Sequence, residues 1–194
     1  MIVSLGAFLP LAGQAITAPR VAVRQVLDTP ADRPTLIRFA FLIVLFNLIV
    51  GLSADLVLPA PEDAITISTA AAFIMHAATI FGGAGMMFVA GQMFKGQGTF
   101  DGCLKAVTWF AWVMLLAQTA MIVVLVTMPS LLEVTLIALL ILSFVQLTGI
   151  TMELHGFENA FLVLLGIVGA GIVFGFFMLI LFAFLGVELP TAPA

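Results

Sequence analysis

The chain has 194 residues, of which 63% are hydrophobic and only 8% are charged, and its formal net charge is −4. Soluble domains carry about 25% charged residues, so this composition excludes a water-soluble globular protein and indicates an integral membrane protein. The single cysteine excludes an intramolecular disulfide.

Residues 1–34 form an N-terminal segment that precedes the first long apolar run. Residues 1–16 are apolar but are interrupted by Pro10, and the arginines follow this run rather than precede it. That order favours an interfacial or re-entrant element over a cleaved signal peptide. In the next stretch, TAPRVAVRQVLD, charged residues recur every four positions and aliphatic residues occupy another face. The pattern predicts a short amphipathic helix, which either lies on the cytoplasmic leaflet or caps the cytosolic end of a bundle.

Five apolar runs follow, and each reaches the length of about 20 residues that a helix needs to cross a bilayer. They cover residues 36–58, 67–94, 104–126, 131–152 and 160–187. The predicted fold is therefore all-α, a polytopic membrane helix bundle of five transmembrane helices with an N-terminal interfacial segment. Its membrane domain extends over residues 35–188, and residues 189–194 form a short external tail.

All six basic residues fall on one side of this five-span arrangement. They are Arg20, Arg24, Arg33, Arg38, Lys95 and Lys105. Cytoplasmic segments are enriched in Lys and Arg, so the distribution predicts a cytoplasmic N-terminus and an external C-terminus. A miscount by one span would place the two lysines opposite the arginines, so the charges also support the number of spans.

The segment FKGQGTFDGCLK, residues 94–105, resembles a phosphate-binding loop at first sight. A dinucleotide fingerprint requires G-x-G-x-x-G between a strand and a helix. Here the glycines are spaced G-x-G-x-x-x-G, and an apolar span precedes them. Both differences exclude a nucleotide loop.

A turn between two membrane helices explains the same segment better. Gly96 and Gly98 are predicted to end the second span by adopting the left-handed conformation. Thr99 is predicted to cap the next helix, with Asp101 in its first turn. Lys105 lies four residues beyond Asp101, a spacing that predicts an ion pair between them.

Polar residues inside the spans are costly in lipid, so each is a candidate site. The candidates on predicted inward faces are Asn47, Asp55, His76, Gln118, Gln146 and Glu153. Of these, Glu153 lies at the cytoplasmic end of the fourth span. One interpretation is helix packing, in which polar and small residues hold helices together. The other is a path for an ion or a small solute, in which Asp55 and His76 could exchange protons. The sequence leaves both open and favours packing.

The segment TMELHGFENA, residues 151–160, joins the fourth and fifth spans. Glu153, His155 and Glu158 could act as metal ligands, but no second histidine or cysteine stands nearby, so a polar turn is the preferred interpretation. Asn159 is predicted to cap the last helix. No catalytic, cofactor, metal or nucleic-acid motif occurs in the chain, so we predict a protein that is not an enzyme and binds no cofactor.

Three stretches together resemble the Yip1 family of multi-pass membrane proteins. They are the lead-in TAPRVAVRQVLDTPADRP, the glycine-rich FKGQGTF and the His-Gly turn in ELHGFENAF. The five spans with a cytoplasmic N-terminus add to this resemblance, which covers about residues 17–188. The resemblance implies a prokaryotic-type member in the inner membrane, with its C-terminus in the periplasm. The chain lacks the Asp-Leu-Tyr-Gly-Pro motif of eukaryotic members and the proline that many bacterial relatives carry in the third span. Rab-GTPase binding and vesicle traffic are therefore not expected of it.

Two functions remain after these exclusions. The first is a membrane scaffold, adaptor or accessory subunit, whose partners are the lipid bilayer, other membrane proteins or a second copy of the chain. The alternative is a small oligomeric transporter or channel for an ion, lipid or small solute. No nucleic-acid partner is expected.

Overall fold

The computed structural model describes residues 5–58 and 67–186, and its described part is helical. The elements are α1 (Leu5–Thr17), α2 (Pro19–Asp28), α3 (Arg33–Val57), α4 (Thr69–Met93), α5 (Phe100–Thr127), a 3-10 turn (Pro129–Leu131), α6 (Leu132–His155) and α7 (Ala160–Phe184). Five of these, α3 to α7, are long and apolar enough to cross a membrane. The predicted five-span, all-α fold is thus confirmed. The predicted tail, 189–194, lies outside the described residues.

Polar caps fix where several of the spans begin. The side-chain oxygen of Thr99 accepts a hydrogen bond from the Gly102 N–H at 3.1 Å. Asn159 Oδ1 accepts from the Phe161 and Leu162 N–H groups, each at 3.1 Å. These bonds satisfy N–H groups that have no partner within the helix, and they confirm both predicted caps. Because Thr99 caps α5, this helix begins at Phe100, four residues earlier than its apolar run.

Helix α5 lies at the centre of the bundle and contributes to two hydrophobic clusters. One cluster joins it to α3 and α4, and its buried members include Ile43, Ile80 and Leu104. The other joins it to α1, α2 and α6 around Trp109, which is 1% exposed, and Ile150. Helix α5 therefore connects the N-terminal segment to the rest of the membrane domain.

Helices α1 and α2 dock against the bundle through their small and aliphatic residues. Ala15 in α1 and Ala22 and Val23 in α2 are fully buried. Lys105 Nζ donates hydrogen bonds to the carbonyl oxygens of Leu27 at 2.9 Å and Thr29 at 2.7 Å. A cation there satisfies carbonyls at the C-terminal end of α2 and suits the helix dipole. Helix α2 therefore packs against the bundle, as the interpretation of this helix as a bundle cap requires.

The predicted ion pair between Asp101 and Lys105 is wrong. Asp101 Oδ1 instead accepts a hydrogen bond from Arg33 Nε at 2.8 Å, across the junction between α3 and α5. Lys105 is drawn toward α2 because the docked helix offers it two carbonyl oxygens at once. Spacing along one helix could not reveal these partners from other helices.

Helix α7 packs at the edge of the bundle, beside α4 and α6. Its contact with α4 depends on Gly82, whose missing side chain leaves room for the rings of Phe174 and Phe177. Val163 is its one buried residue among those described. The remaining surface of α7 is apolar and suited to lipid or to another membrane helix.

Candidate functional site

The loop between α4 and α5 meets the turn between α6 and α7 at the end of the bundle that carries the basic residues. The Gln97 N–H donates to the carbonyl oxygen of His155 at 3.2 Å. The Gly98 N–H donates to His155 Nδ1, also at 3.2 Å. The glycine-rich segment and the His-Gly turn, which are far apart in sequence, therefore form one structural unit.

Three glycines, Gly91, Gly96 and Gly98, surround the imidazole of His155, and we call them the glycine cradle. A Cβ atom on Gly96 would lie 2.5 Å from Nδ1, and one on Gly98 would lie 2.6 Å from Cε1. A Cβ on Gly91 would overlap the ring most severely. His155 is 2% exposed, and its ring stacks on Phe157 with centroids 5.4 Å apart. The glycines thus provide the space that a buried aromatic ring occupies.

The hydrogen bond from Gly98 defines the state of the imidazole. Nδ1 accepts an N–H, so the ring proton must be on Nε2, and the ring is neutral. A doubly protonated imidazole would also carry a proton on Nδ1. That proton would point at the Gly98 N–H, so the hydrogen bond could not form. The cradle therefore holds one tautomer of His155.

The predicted conformational role of Gly96 and Gly98 is wrong. Lys95 has the left-handed φ of 60°, whereas neither of these glycines has a positive φ. The Lys95 N–H bonds to the Gln92 carbonyl and the Gly96 N–H bonds to the Gly91 carbonyl, which is the Schellman end of a helix. Gly96 and Gly98 are required for the space they leave to His155 rather than for backbone freedom.

The left-handed glycine of this region is Gly156, with φ of 72° at the end of α6. The Phe157 N–H bonds back to the Met152 carbonyl at 3.0 Å, which closes the helix and places Phe157 against His155. The predicted polar turn therefore exists. Its histidine is buried and held by the neighbouring loop.

A second cluster at the same end holds α2 against α6. Arg20 Nε lies 3.3 Å from Glu153 Oε2, and the Arg24 guanidinium pairs with Glu153 Oε1. The Glu153 side chain is only 10% exposed, so its charge is shielded from water and compensated by two arginines. Pro19 packs over Gly149, where a Cβ would lie 3.0 Å from the proline ring. Gly149 lets α2 approach closely enough for these pairs to form.

The sequence singled out Glu153 but did not identify its partners. Its role in an intramembrane path stays untested, and what the geometry shows is an anchor for α2. Within residues 5–58 and 67–186, the structure groups no three His, Cys, Asp or Glu side chains where they could hold a metal ion. Arg20 and Arg24 are spaced i, i+4, so both side chains lie on one face of α2. This spacing is the sequence signal that could have indicated a shared acidic partner such as Glu153.

The basic residues that make described contacts gather at one end of the bundle. Arg20 and Arg24 reach α6, Arg33 reaches Asp101, and Lys105 reaches α2. Lys95 is exposed at the adjoining end of α4, and Arg38 is exposed in the second turn of α3. This common location is what the five-span prediction requires.

The other intramembrane polar residues do not converge. Asn47 donates to the Ile43 carbonyl of its own helix at 2.9 Å. Asp55 is exposed toward the far end of α3, and His76 and Gln118 are half-buried on α4 and α5. Two cavities lie beside α2 and α6, and neither is lined by Asp55, His76 or Gln118. In the described part of the chain, no hydrogen bond or ion pair joins Asp55 to His76.

Gln146 differs from these residues because it is fully buried on α6. Within the described residues, neither its amide oxygen nor its amide nitrogen has a hydrogen-bond partner. It lies one turn from Ile150 on the face of α6 that also carries Gly149 and Glu153. The packing around α6 therefore buries the side-chain amide of Gln146, which is one of the candidate site residues predicted from the sequence.

The comparisons with known proteins agree with this architecture. The family model described as the Yip1 domain matches residues 13–185, which include the glycine cradle, His155 and Glu153. The match covers most of the region over which the sequence resembles that family. Comparisons with curated proteins and with solved structures gave no match. The extent of the family match and the five membrane-spanning helices together show that this chain is an integral membrane protein of the Yip1 family.

Proposed function

We propose that the chain is a non-enzymatic membrane scaffold or accessory subunit that associates through the exposed face of α7. The observation that carries the proposal is the pair Gly171 and Gly175, which form a G-x-x-x-G motif. Both are exposed, and a Cβ atom at either position would meet nothing within 4 Å. Such motifs let two membrane helices approach closely, and within the described residues no helix fills the space beside these glycines.

The arrangement of the polar residues supports a scaffold more than a transporter or channel. A transporter needs polar groups that converge on a path, whereas Asp55, His76 and Gln118 share no described cavity. Asn47 is satisfied within its own helix. The contacts that do join distant segments, at His155 and Glu153, fix helices and loops in place. These features suit a rigid body that presents a surface to other membrane components.

Replacement of both Gly171 and Gly175 by isoleucine should weaken association about tenfold, which corresponds to ~1.4 kcal/mol. The added side chains would hold two backbones apart. Self-association is measured by energy transfer between differently labelled copies in proteoliposomes, and association with another protein is measured by co-purification from native membranes. Ala183→Ile is the control, because Ala183 is also exposed on α7 but lies outside the motif. Wild-type levels of both kinds of association in the double variant would contradict the proposal.

We also propose that the end of the bundle with the basic residues faces the cytoplasm of a prokaryotic cell. The support is the excess of Lys and Arg there, with the odd number of spans placing the C-terminus on the opposite side. A reporter that is active only outside the cell should work when fused after Gly186 and fail when fused at the N-terminus. Activity in the same compartment from both fusions would contradict this orientation.

A further inference from the structure

A groove runs along the side of the bundle where α2, α6 and the start of α7 meet, and we call it the lateral groove. It has a volume of about 510 Å³. Its lining is almost wholly apolar and includes Val21, Phe144, Thr148, Met152, Phe161 and Leu164. In a membrane such a surface is covered by an acyl chain or by another helix.

The lateral groove adjoins a second cavity of about 320 Å³, whose lining residues include charged ones. Arg20, Arg24 and Glu153 line this second cavity, and Arg20 and Val21 line both. The apolar groove thus lies beside the side chains of two arginines. These neighbouring environments match two parts of a phospholipid, an acyl chain and the phosphate head group that the glycerol links to it.

The charges in the second cavity favour an anionic head group. The described ion pairs set two guanidinium groups against one carboxylate, so this cluster has a formal net charge of +1. The side chains of Arg20 and Arg24 are 52% and 66% exposed, so they remain accessible. Each guanidinium has five N–H donors, and Glu153 accepts from only some of them, which leaves donors for phosphate oxygens. Glu158, in the loop before α7, lines neither cavity.

The depth of the lateral groove also fits a lipid. Phe144 precedes Glu153 by nine residues on α6, which is about 13 Å along the helix axis. The groove therefore extends from the level of the ion pairs well into the apolar layer. We propose that it binds one phospholipid of the cytoplasmic-side leaflet, with an acyl chain in the groove and an anionic phosphate head group at Arg20 and Arg24.

The proposal is tested by lipid retention on the purified full-length chain. The protein is equilibrated in detergent with equal amounts of phosphatidylglycerol and phosphatidylcholine that carry the same acyl chains, and retained lipid is counted by native mass spectrometry. The formal net charge of +1 in the cluster predicts about a fivefold preference for phosphatidylglycerol. Inorganic phosphate should not displace the lipid, because the acyl chain supplies much of the binding. Equal retention of the two lipids would overturn the proposal.

A substitution that fills the groove provides the matched comparison. Thr148→Trp should abolish the preferential retention, whereas Ile180→Trp, on an exposed part of α7 outside the groove, should leave it unchanged. Equal loss in both variants would overturn the proposal. Should the tryptophan in the groove prevent folding, a photoreactive phosphatidylglycerol on the wild-type chain gives an independent test. Its adducts should concentrate on residues 144–152 and 161–164, and an even distribution around α7 would contradict the assignment.

Discussion

Gly91→Ala should be the most damaging methyl addition in the membrane domain. The new Cβ would overlap the imidazole of His155, and this ring is held by the Gly98 hydrogen bond and by stacking on Phe157. Overpacking of a core costs about 1–3 kcal/mol and sometimes more, and an overlap this severe belongs at or above the upper end, ~3 kcal/mol. The free energy of unfolding in mixed micelles, followed by tryptophan fluorescence, measures the effect.

Gly85→Ala on the same helix is the matched control for Gly91→Ala. A Cβ at Gly85 would meet nothing within 4 Å, although Gly85 lies only six residues from Gly91. Alanine favours a helix over glycine by about 0.5–1 kcal/mol, so this substitution should leave stability unchanged or raise it. If the two substitutions had equal effects, the damage would come from helix propensity or lipid packing, and the cradle would not explain it.

Glu153→Gln should release the N-terminal segment from the bundle. The substitution removes the charge that compensates Arg20 and Arg24, and it leaves a polar group in a site that is only 10% exposed. Loss of one partner of a buried ion pair costs about 3–5 kcal/mol, and an exposed pair contributes at most about 1, so we expect ~2 kcal/mol for this half-exposed cluster. The effect should fall on the docking of α1 and α2 rather than on the spans.

Limited proteolysis with trypsin measures this release directly, because Arg20 and Arg24 are themselves cleavage sites within α2. A loss of ~2 kcal/mol from the opening free energy should speed cleavage there about 30-fold when opening is fast relative to cleavage. Glu133→Gln, at the exposed opposite end of α6, is the control and should not change the rate. Unchanged cleavage in Glu153→Gln would show that the apolar contacts and the Lys105 hydrogen bonds hold α2 without the Glu153 ion pairs.

The transmembrane helices could be predicted from the sequence because their signal is local. A run of apolar residues long enough to cross the bilayer must satisfy its backbone internally, and only a helix does so within one segment. Caps are equally local, which is why Thr99 and Asn159 were identified correctly. The distribution of basic residues added one global constraint, since it fits an odd number of spans.

The contacts between segments could not be predicted, since they depend on which neighbour each residue meets. Gly96 was interpreted through its backbone freedom, whereas the structure uses its small volume beside His155. Spacing along the chain pairs Lys105 with Asp101, whereas α2 presents two carbonyl oxygens to Lys105 in the structure. The two segments that carried the family resemblance were recognised separately, and no pattern within either one indicates that they touch.

A double-mutant cycle on Gly91→Ala and His155→Ala tests the central claim, that the glycines exist to accommodate this imidazole. Removal of the ring should itself destabilise the protein, but in that background the methyl group of Gly91→Ala has room. The double variant should therefore be more stable than the sum of the single effects predicts, by about 2 kcal/mol of coupling, within the usual range for residues in contact. Additive effects would contradict the claim.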